Sequence, residues 1–405
     1  MNLKFHAAAR FTMFLLGLYV WSCASAQQPF VVEGKLEGIP DGASLLLTKL
    51  QGNLNVRVDC DTLHDGRFRL EGMAAATEMF TVRLSDELLV ANALQLWGQG
   101  GDTVTVKGVG RCGFEWQVMS SNPMQAEETA YVRGVEEEYR RMNKYLAMHD
   151  ELEKHMQQMP ENRKQALEDS LANLSKEANR ANSRATVKQF AMLKQRYLKD
   201  GKVKPLSPCA EFRFLNVAAE AVWGDGVLDA DEVRAFYKLI PESRRQSYAM
   251  QYAGVLLFPP EVVKQGDRMY DGAVLYDLQG GEHRLSDYNE GKYLMLDFWS
   301  SGCGPCLQSF PELKAVSEEL KDSLVVISIS SDLEKEWQKA SARHDITWAN
   351  LNDKRGSIGI FSHYGIYAFP SYVIVSPEGK IVKTFTGYSE GRIKQKLSSI
   401  FPQYK

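Results

Sequence analysis

Two cysteines three positions apart, Cys303 and Cys306, separate an apolar run from a helical pattern. The run from Tyr293 to Trp299 predicts a buried β-strand, and the stretch from Pro305 to Leu320 predicts a helix. The two cysteines therefore lie at the start of a helix and within one turn of each other, close enough to close a disulfide. Because this arrangement needs a strand that leads directly into a helix, it restricts the possible folds more than any other feature of the chain.

Strands and helices continue to alternate from about residue 259 to the end. The other predicted elements are the hairpin strands Ala273 to Tyr276 and Glu282 to Leu285, the strand Leu324 to Ile329, the helix Leu333 to Arg343, the strands Tyr372 to Val375 and Ile381 to Phe385, and a helix from Glu390 to Ile400. Around the cysteine pair this order predicts a central mixed sheet with helices on both faces.

A chain of 405 residues is too long for one compact core, and two further regions precede this one. Residues 27–117 are β-rich, with turn signals between short apolar runs, which predicts a small antiparallel sandwich or barrel. The predicted strands there include Phe30 to Val32, Ser44 to Leu47, Arg67 to Leu70 and Thr103 to Val106.

Residues 118–258 carry apolar stripes at helical spacing, which indicate packing faces rather than a cofactor site. Pro160 is expected to end one helix, after which Leu167 to Ala181 begins a second stripe and Phe190 to Tyr197 a third. The chain therefore divides into residues 1–26, 27–117, 118–258 and 259–405.

One segment of the helical region imitates a calcium loop. Asp225 to Glu232 matches the second half of an EF-hand, but Ala221 and Trp223 stand where two oxygen ligands are needed. We therefore expect a loop that enters a helix, with Asp229 or Asp231 near its cap. No metal site is predicted.

Residues 1–26 are expected to form a signal peptide. A basic start precedes an apolar run from Phe11 to Trp21, which is shorter than the ~20 residues of a membrane span. Ala24-Ser25-Ala26 fits a cleavage site, and Cys23 alternatively fits a lipoprotein signal. Export to the periplasm or cell envelope is predicted, with a soluble form favoured over a lipid-anchored one. The net charge of -3 gives no reason to expect a nucleic-acid partner.

Three more cysteines remain after the signal segment, Cys60, Cys112 and Cys209. They are too few and too scattered for a disulfide scaffold. A bond between Cys60 and Cys112 is left open, because sequence spacing does not reveal proximity. Cys209 is expected to be a buried free thiol.

The close pair, Cys303 and Cys306, suits redox chemistry. The unpaired amides and the dipole at a helix start favour the thiolate of the first cysteine, which is the attacking species. Pro305 fits the first helical turn. Zinc would need two more ligands that the sequence does not supply, and a structural disulfide across so short a loop would add little stability.

The segment from Leu296 to Cys306, Leu-Asp-Phe-Trp-Ser-Ser-Gly-Cys-Gly-Pro-Cys, resembles the active site of the thioredoxin superfamily. The hairpin before it and the segment from Tyr364 to Val375 resemble the TlpA/ResA-like branch of exported, often membrane-anchored oxidoreductases. The β-rich start resembles a domain of unknown function that precedes such modules in Bacteroidetes proteins. The resemblance implies an α/β thioredoxin fold over residues 259–405.

The resemblance also implies a role for individual residues. Cys303 is the expected nucleophile, which forms a mixed disulfide with the substrate, and Cys306 is expected to resolve it. Pro370 corresponds to the cis-proline beside the active site. Phe369 offers backbone groups to a substrate strand, and Trp299 is expected to pack near the thiols.

Gly304 and Pro305 complete the expected substrate-binding set, with Trp299 and Phe369. Asp297 occupies the place of the buried aspartate of thioredoxins. A carboxylate on an apolar strand tends toward a raised pKa, so it is expected to accept a proton from Cys306.

Two positions depart from the family pattern. Ser309 stands where ResA-like members tend to carry a glutamate, and Gly302 replaces the bulky residue that commonly precedes the first cysteine. The first change leaves the proton route open, and the second widens the groove.

The predicted function is that of an exported thiol–disulfide oxidoreductase that reduces or isomerises disulfides of envelope proteins. Its Gly-Pro dipeptide resembles that of reducing thioredoxins, whose potential is about -270 mV. It would need no cofactor beyond the Cys303–Cys306 disulfide, and a thiol-transferring membrane donor would keep it reduced.

Two alternatives remain open. A thiol peroxidase needs the pattern Pro-x-x-x-Thr-x-x-Cys, in which Ser300 fills the hydroxyl position but Leu296 replaces the proline. A non-catalytic envelope scaffold is the other alternative, because residues 27–258 show no catalytic constellation.

Overall fold

The computed structural model describes residues 28–51, 54–85 and 93–404. The predicted signal peptide, with Cys23 and the cleavage motif, lies outside the described residues. Among the helices that are described, none is both long and apolar enough to cross a membrane.

The β-rich region is a sandwich of two four-stranded sheets. Its strands are β1 (Gln28–Glu37), β2 (Ser44–Gln51), β3 (Leu54–Thr62), β4 (Arg67–Ala74), β5 (Glu78–Leu84), β6 (Leu94–Gly98), β7 (Thr103–Val109) and β8 (Gln117–Met119). The orders are β4-β1-β7-β8 and β3-β2-β5-β6. Apolar side chains alternate along the strands and fill one core between the sheets. All pairings within the two sheets are antiparallel except that of β1 with β7.

The helical region consists of α1 (Pro123–Gly134), α2 (Glu136–Gln157), α3 (Glu161–Tyr197), α4 (Pro208–Trp223), α5 (Ala230–Leu239) and α6 (Tyr248–Leu257), with a short ribbon of β9 (Leu198–Lys199) and β10 (Lys202–Val203). Pro160 lies between α2 and α3, as predicted. The second and third stripes belong to one 37-residue helix, α3. Asp229 caps α5 by accepting from the amides of Asp231 and Glu232.

The carboxy-terminal region contains β11 (Leu275–Tyr276), β12 (Glu282–His283), β13 (Tyr293–Trp299), α7 (Gly304–Glu319), β14 (Leu324–Ser330), α8 (Glu334–Arg343), β15 (Ala349–Leu351), α9 (Ile360–His363), β16 (Ser371–Val375), β17 (Ile381–Thr386) and α10 (Arg392–Leu397). The five-stranded sheet has the order β15-β14-β13-β16-β17. β13 pairs parallel with β14 and antiparallel with β16, so the sheet is mixed. Separate apolar clusters cover its two faces. A mixed sheet of this order, covered on both faces, is the thioredoxin fold.

A hydrogen bond and an aromatic pair are among the contacts between the helical region and the thioredoxin-like region. The amide of Ser357 donates to the hydroxyl of Tyr248 on α6 over 3.3 Å. The ring of Trp223, at the end of α4, lies 5.4 Å from that of Tyr367, centroid to centroid.

Cys60, Cys112 and Cys209 lie in three different environments. Cys60 is exposed on β3, and the structure does not join it to Cys112, whose sulfur lies 3.7 Å from the side-chain amide of Asn143. Cys209 is fully buried, as predicted, and its thiol donates to Glu128 over 3.4 Å. Burial raises the pKa of this thiol, and the neighbouring Glu128 carboxylate adds to the effect.

Candidate active site

Cys303 is the residue that caps the amino-terminal end of α7. Its backbone is extended, and its sulfur accepts a hydrogen bond from the amide of Cys306 over 3.1 Å. The apolar strand β13 brings the chain to this point, and Pro305 fits the first turn, where its missing amide hydrogen costs nothing. The sulfur thus faces the positive end of the helix dipole, which stabilises a thiolate.

The two cysteines form a disulfide of 2.05 Å, but their exposure differs. Cys303 is partly exposed, whereas Cys306 is fully buried. Gly304 and Pro305, between them, are exposed, and a Cβ added at Gly304 would meet no atom within 4 Å. A substrate can therefore reach the first sulfur from solvent but not the second.

Asp297 is fully buried on β13 and faces the helix that carries the cysteines. Side chains alternate along a strand, so Asp297 points to the same face as Met295 and Trp299, which share one apolar cluster with Cys306. Burial raises the pKa of Asp297 to about 7, although the hydrogen bond from Ser328 lowers it in part. A carboxyl of this kind can exchange a proton near neutral pH.

The hydrogen bonds of Asp297 reach one residue further. The hydroxyl of Ser328 on β14 donates to Oδ2 of Asp297 over 2.7 Å, and the indole N–H of Trp348 donates to the same Ser328 hydroxyl oxygen over 2.8 Å. Oδ1 of Asp297 has no hydrogen-bond partner among the described residues. Sequence patterns did not single out Ser328 or Trp348, because nothing in the spacing links them to Asp297.

The peptide bond between Phe369 and Pro370 is cis, as predicted. The pairing of Phe298 with Ser371 puts Pro370 level with the end of β13, where the chain turns toward Cys303. Phe369 is partly buried and, like Cys303, packs against the apolar cluster on the α7 side of the sheet. The dipeptide and the reactive sulfur therefore border the same end of the sheet.

Trp299 is buried in the core, whereas a residue that contacts the substrate is expected to lie at the surface. It lies in the cluster of Cys306, as the prediction of packing near the thiols requires, with its ring edge-on to that of Phe310 at 5.1 Å. Its side chain has no exposed surface, however, so it offers no contact to a substrate in this structure. The Trp299 ring at the end of β13 is therefore part of the hydrophobic core.

Ser309 is fully buried, and its hydroxyl donates to the carbonyl oxygen of Cys306 over 2.7 Å. A hydroxyl held in this way is not an acid, so Asp297 is the buried carboxyl available on this face of β13.

A second buried carboxylate, which the sequence patterns missed, supports the loop before Cys303. Asp332 follows β14, and its Oδ2 accepts from the amide of Ser301 over 2.8 Å. Burial raises the pKa of Asp332, and the bond from the Ser301 amide opposes that rise. The signal that could have found it is an acidic residue just beyond a buried strand parallel to β13, because such strand ends meet at one edge of the sheet.

The Ser300 hydroxyl, which stands at the position of a peroxidase hydroxyl, hydrogen-bonds to the backbone of the loop before Cys303. Its hydroxyl accepts from the amide of Gly302 over 3.4 Å, while its carbonyl accepts from the amide of Cys303 over 3.0 Å. Within the described part of the chain, no cluster of three or more His, Cys, Asp or Glu residues has the arrangement of a metal site.

Comparison with known proteins places relatives on the carboxy-terminal third of the chain. The model of the AhpC/TSA family matches residues 266–384. Thiol-disulfide oxidoreductase ResA of Geobacillus thermodenitrificans is 31% identical over 133 residues, which are 32% of this chain and 74% of that protein. Thioredoxin-like protein YneN of Bacillus subtilis is 28% identical over 140 residues, 33% of this chain and 79% of that protein.

A solved structure, the thioredoxin domain of a thiol-disulfide oxidoreductase from Bacteroides vulgatus, is 29% identical and covers 31% of this chain and 91% of its own, with a TM-score of 0.29. The ResA relatives are named thiol-disulfide oxidoreductases, so the peroxidase alternative is not favoured.

Proposed function

The chain belongs to the ResA-like family of thiol–disulfide oxidoreductases, and on that premise we propose that it reduces or isomerises disulfides of envelope proteins through Cys303 and Cys306. The observation that carries this proposal is the position of the Cys303 sulfur, partly exposed at the start of α7 and hydrogen-bonded by the amide of Cys306. A thiolate in that position is stabilised and can still be reached by a substrate.

In the proposed reaction the Cys303 thiolate attacks one sulfur of a client disulfide. The client S–S bond breaks, its second sulfur leaves as a thiolate, and a mixed disulfide joins Cys303 to the client. Cys306 then loses its proton to the carboxylate of Asp297 and attacks the Cys303 sulfur, which releases the second client thiolate. Two electrons pass from the enzyme dithiol to the client, and the enzyme is left as a disulfide.

The reverse exchange with a dithiol donor would restore the reduced enzyme. An enzyme that reduces its clients in an oxidising compartment needs such a donor, and we assign this part to a thiol-transferring membrane protein. The Gly304-Pro305 dipeptide, which resembles that of reducing thioredoxins, supports this direction of electron flow.

The client segment would lie along Phe369 and Pro370 and over the exposed Gly304 and Pro305. Gly304 and Pro305 follow the partly exposed Cys303 directly, and Phe369 and the buried Pro370 lie at the same end of the sheet, which supports the assignment of this region to substrate binding. The complete burial of Trp299 supports a packing role for it instead.

We further assign the protein to the periplasm or cell envelope. The pattern of residues 1–26 supports export, and release after Ala26 is favoured over lipid attachment at Cys23.

The reduction of insulin disulfides by the full mature chain tests the proposed function. Wild-type protein should accelerate the reduction in the presence of dithiothreitol, and Cys303→Ser should abolish the acceleration. After reduction and removal of dithiothreitol, Cys306→Ser should instead accumulate a mixed disulfide with the substrate, visible as an added mass on non-reducing analysis. Cys60→Ser, which alters a cysteine on the distant sandwich, is the matched control and should retain full activity. Wild-type protein that left the insulin reduction rate unchanged would contradict the proposal.

A further inference from the structure

A cavity of about 760 Å³ lies between the β-sandwich and the helical region. Its walls come from the start of β6, from residues 114–118 and from α1, α2, α3 and α4. Its volume falls within the roughly 300–1,000 Å³ of ligand-binding pockets. None of its lining residues belongs to the thioredoxin-like region, so the cavity is separate from the cysteine pair.

Amide and hydroxyl side chains dominate the polar part of the lining, and they include Gln95, Gln125, Asn182, Ser183, Gln189 and Asn216. Side-chain amides offer both donors and acceptors, and some of these already bond within the protein, as Gln125 accepts from the amide of Trp97 and Gln189 donates to the hydroxyl of Tyr139. Aromatic and aliphatic side chains form the rest of the wall, among them Phe114, Trp116 and Met142. The cavity therefore offers a peptide segment both polar groups and apolar surface.

Arg213 lies in the lining and is 97% buried, with 3% of its surface exposed. Its Nη2 donates to Gln95 over 2.7 Å and also to Glu128, which compensates its charge. Its Nε has no hydrogen-bond partner among the described residues. A buried donor without a partner is costly, and a carbonyl oxygen of a ligand would satisfy it.

The charges of the lining are nearly balanced. Arg133 and Arg213 stand against Glu128, Glu220 and Asp225, a sum of about -1. Glu220 accepts hydrogen bonds from Asn182 over 3.2 Å and Ser183 over 2.6 Å. Such a lining suits an uncharged ligand that carries many polar groups.

One edge of the cavity reaches the thioredoxin-like region. Trp223 lines the cavity, is 52% exposed, and contacts Tyr367, which is 45% exposed. Tyr367 lies three residues before Pro370, so the two Cα atoms are at most about 11 Å apart. The two aromatic rings thus connect the cavity with the segment that borders the reactive sulfur.

We propose that this cavity binds an uncharged, polar segment of the client polypeptide that flanks the client's disulfide. The inference rests on the proposed function. In it, residues 27–258 hold the client polypeptide while Cys303 attacks the client disulfide. Trp223 and Tyr367 form the surface over which the client passes from the cavity to the redox site.

A ten-residue peptide of Ser, Asn, Gly and Ala with one central cysteine, used as its disulfide-linked dimer, tests this inference. The second-order rate constant of the reduced full chain with this dimer is compared with that for hydroxyethyl disulfide, which is too small to span both sites. Trp223→Ala removes the connecting ring, and Asn179→Trp places a bulky side chain at an exposed position of the cavity wall. Met148→Ala, at an exposed residue outside the lining, is the matched control.

Both cavity variants should lower the rate constant with the peptide about tenfold and leave that with hydroxyethyl disulfide unchanged. Trp223→Ala removes a contact and Asn179→Trp blocks contacts by filling space, and the loss of a well-packed contact has an effect of this size. Met148→Ala should change neither. Equal rate constants of wild-type and both cavity variants on the peptide would overturn the inference while leaving the redox function intact.

Calorimetric titration with the same peptide, its cysteine replaced by serine, separates the two proposals. Binding to wild-type protein that is weakened by Asn179→Trp is expected even without any redox step. If the peptide binds in this way but neither disulfide is reduced, the proposed function fails and the binding site stands. If the serine peptide does not bind, or if neutral N-acetylglucosamine oligomers bind in its place, the assignment to a client polypeptide is wrong.

Discussion

At the scale of single residues, the chemistry depends on how Asp297 is surrounded. Burial disfavours its charged form, and the hydrogen bond from Ser328 partly offsets that effect. The indole N–H of Trp348 can only donate, so it leaves the Ser328 hydroxyl hydrogen directed at Asp297. A proton taken up by the carboxyl therefore binds to Oδ1, which has no partner among the described residues.

Asp297→Asn should slow resolution of the mixed disulfide by about 100-fold at pH 8, because proton transfer by a positioned base contributes an effect of that order. In wild-type protein the rate should rise as pH increases through about 7, where the carboxyl becomes a base. Stopped-flow measurement of the resolution step from pH 5 to 9 checks both. An Asn variant that keeps the wild-type profile would show that Asp297 is not the base.

The same substitution should stabilise the oxidised protein at pH 8. The pKa of Asp297 is raised from its ordinary 3.8 to about 7 in the folded state, so the folded protein binds more protons between these values. The stability gained when folded Asp297 holds its proton is therefore present at acid pH and is lost as pH rises from about 4 to 7. At about 1.4 kcal/mol per pKa unit, Asp297→Asn should raise the free energy of unfolding by roughly 2–4 kcal/mol at pH 8. Urea unfolding at pH 8 and pH 4 measures this, and a variant less stable than wild type at pH 8 would contradict it.

At the scale of elements, the sequence predicted the strand, loop and helix around the cysteines almost to the residue. β13 has the predicted bounds, and α7 begins at Gly304 rather than Pro305. The apolar run of β13 and the proline in the first turn of α7 determine these boundaries. β15 was missed because it has only three residues. α3 was not recognised as one helix, because its central stretch near Asn182 is poor in large apolar residues.

Asp332 supports the loop between β13 and α7, a contact between elements that no local pattern reveals. Asp332→Ala should lower the free energy of unfolding by about 1–3 kcal/mol, because it leaves the amide of Ser301 without its acceptor. Asp322→Ala, at an exposed aspartate outside the left-handed backbone region, is the control and should change stability by less than about 0.5 kcal/mol. Equal stability of the two variants, by urea unfolding, would show that the loop does not depend on Asp332.

At the scale of the whole molecule, the fold classes expected from periodicity are present in the expected order, namely an amino-terminal β-sandwich, helices and a carboxy-terminal thioredoxin fold. The contacts between the regions could not be predicted, because they pair residues far apart in sequence, such as Trp223 with Tyr367. For the same reason the cavity was invisible in the sequence, although the helical stripes that build it were recognised as packing faces.

Expression of the full chain in a host that exports proteins should give a mature product that begins at Gln27. The small residues of the Ala24-Ser25-Ala26 motif are the physical basis of this expectation. Intact-mass analysis of the envelope fraction measures the product. A lipid-modified amino terminus at Cys23 would contradict release after Ala26, and Cys23→Ser would then abolish the added mass.

Alkylation of reduced Cys303 across a pH series tests whether the start of α7 stabilises the thiolate of this residue. The Cys306→Ser variant of the full chain is treated with iodoacetamide from pH 5 to 10, and the modified peptides are quantified by mass spectrometry. Cys60, exposed on β3 of the same chain, is the internal reference. The rate at Cys303 should reach half of its maximum well below the pH of about 8.5 that is typical of free thiols, because the helix start stabilises the thiolate. A Cys303 profile that coincides with that of Cys60 would contradict the account.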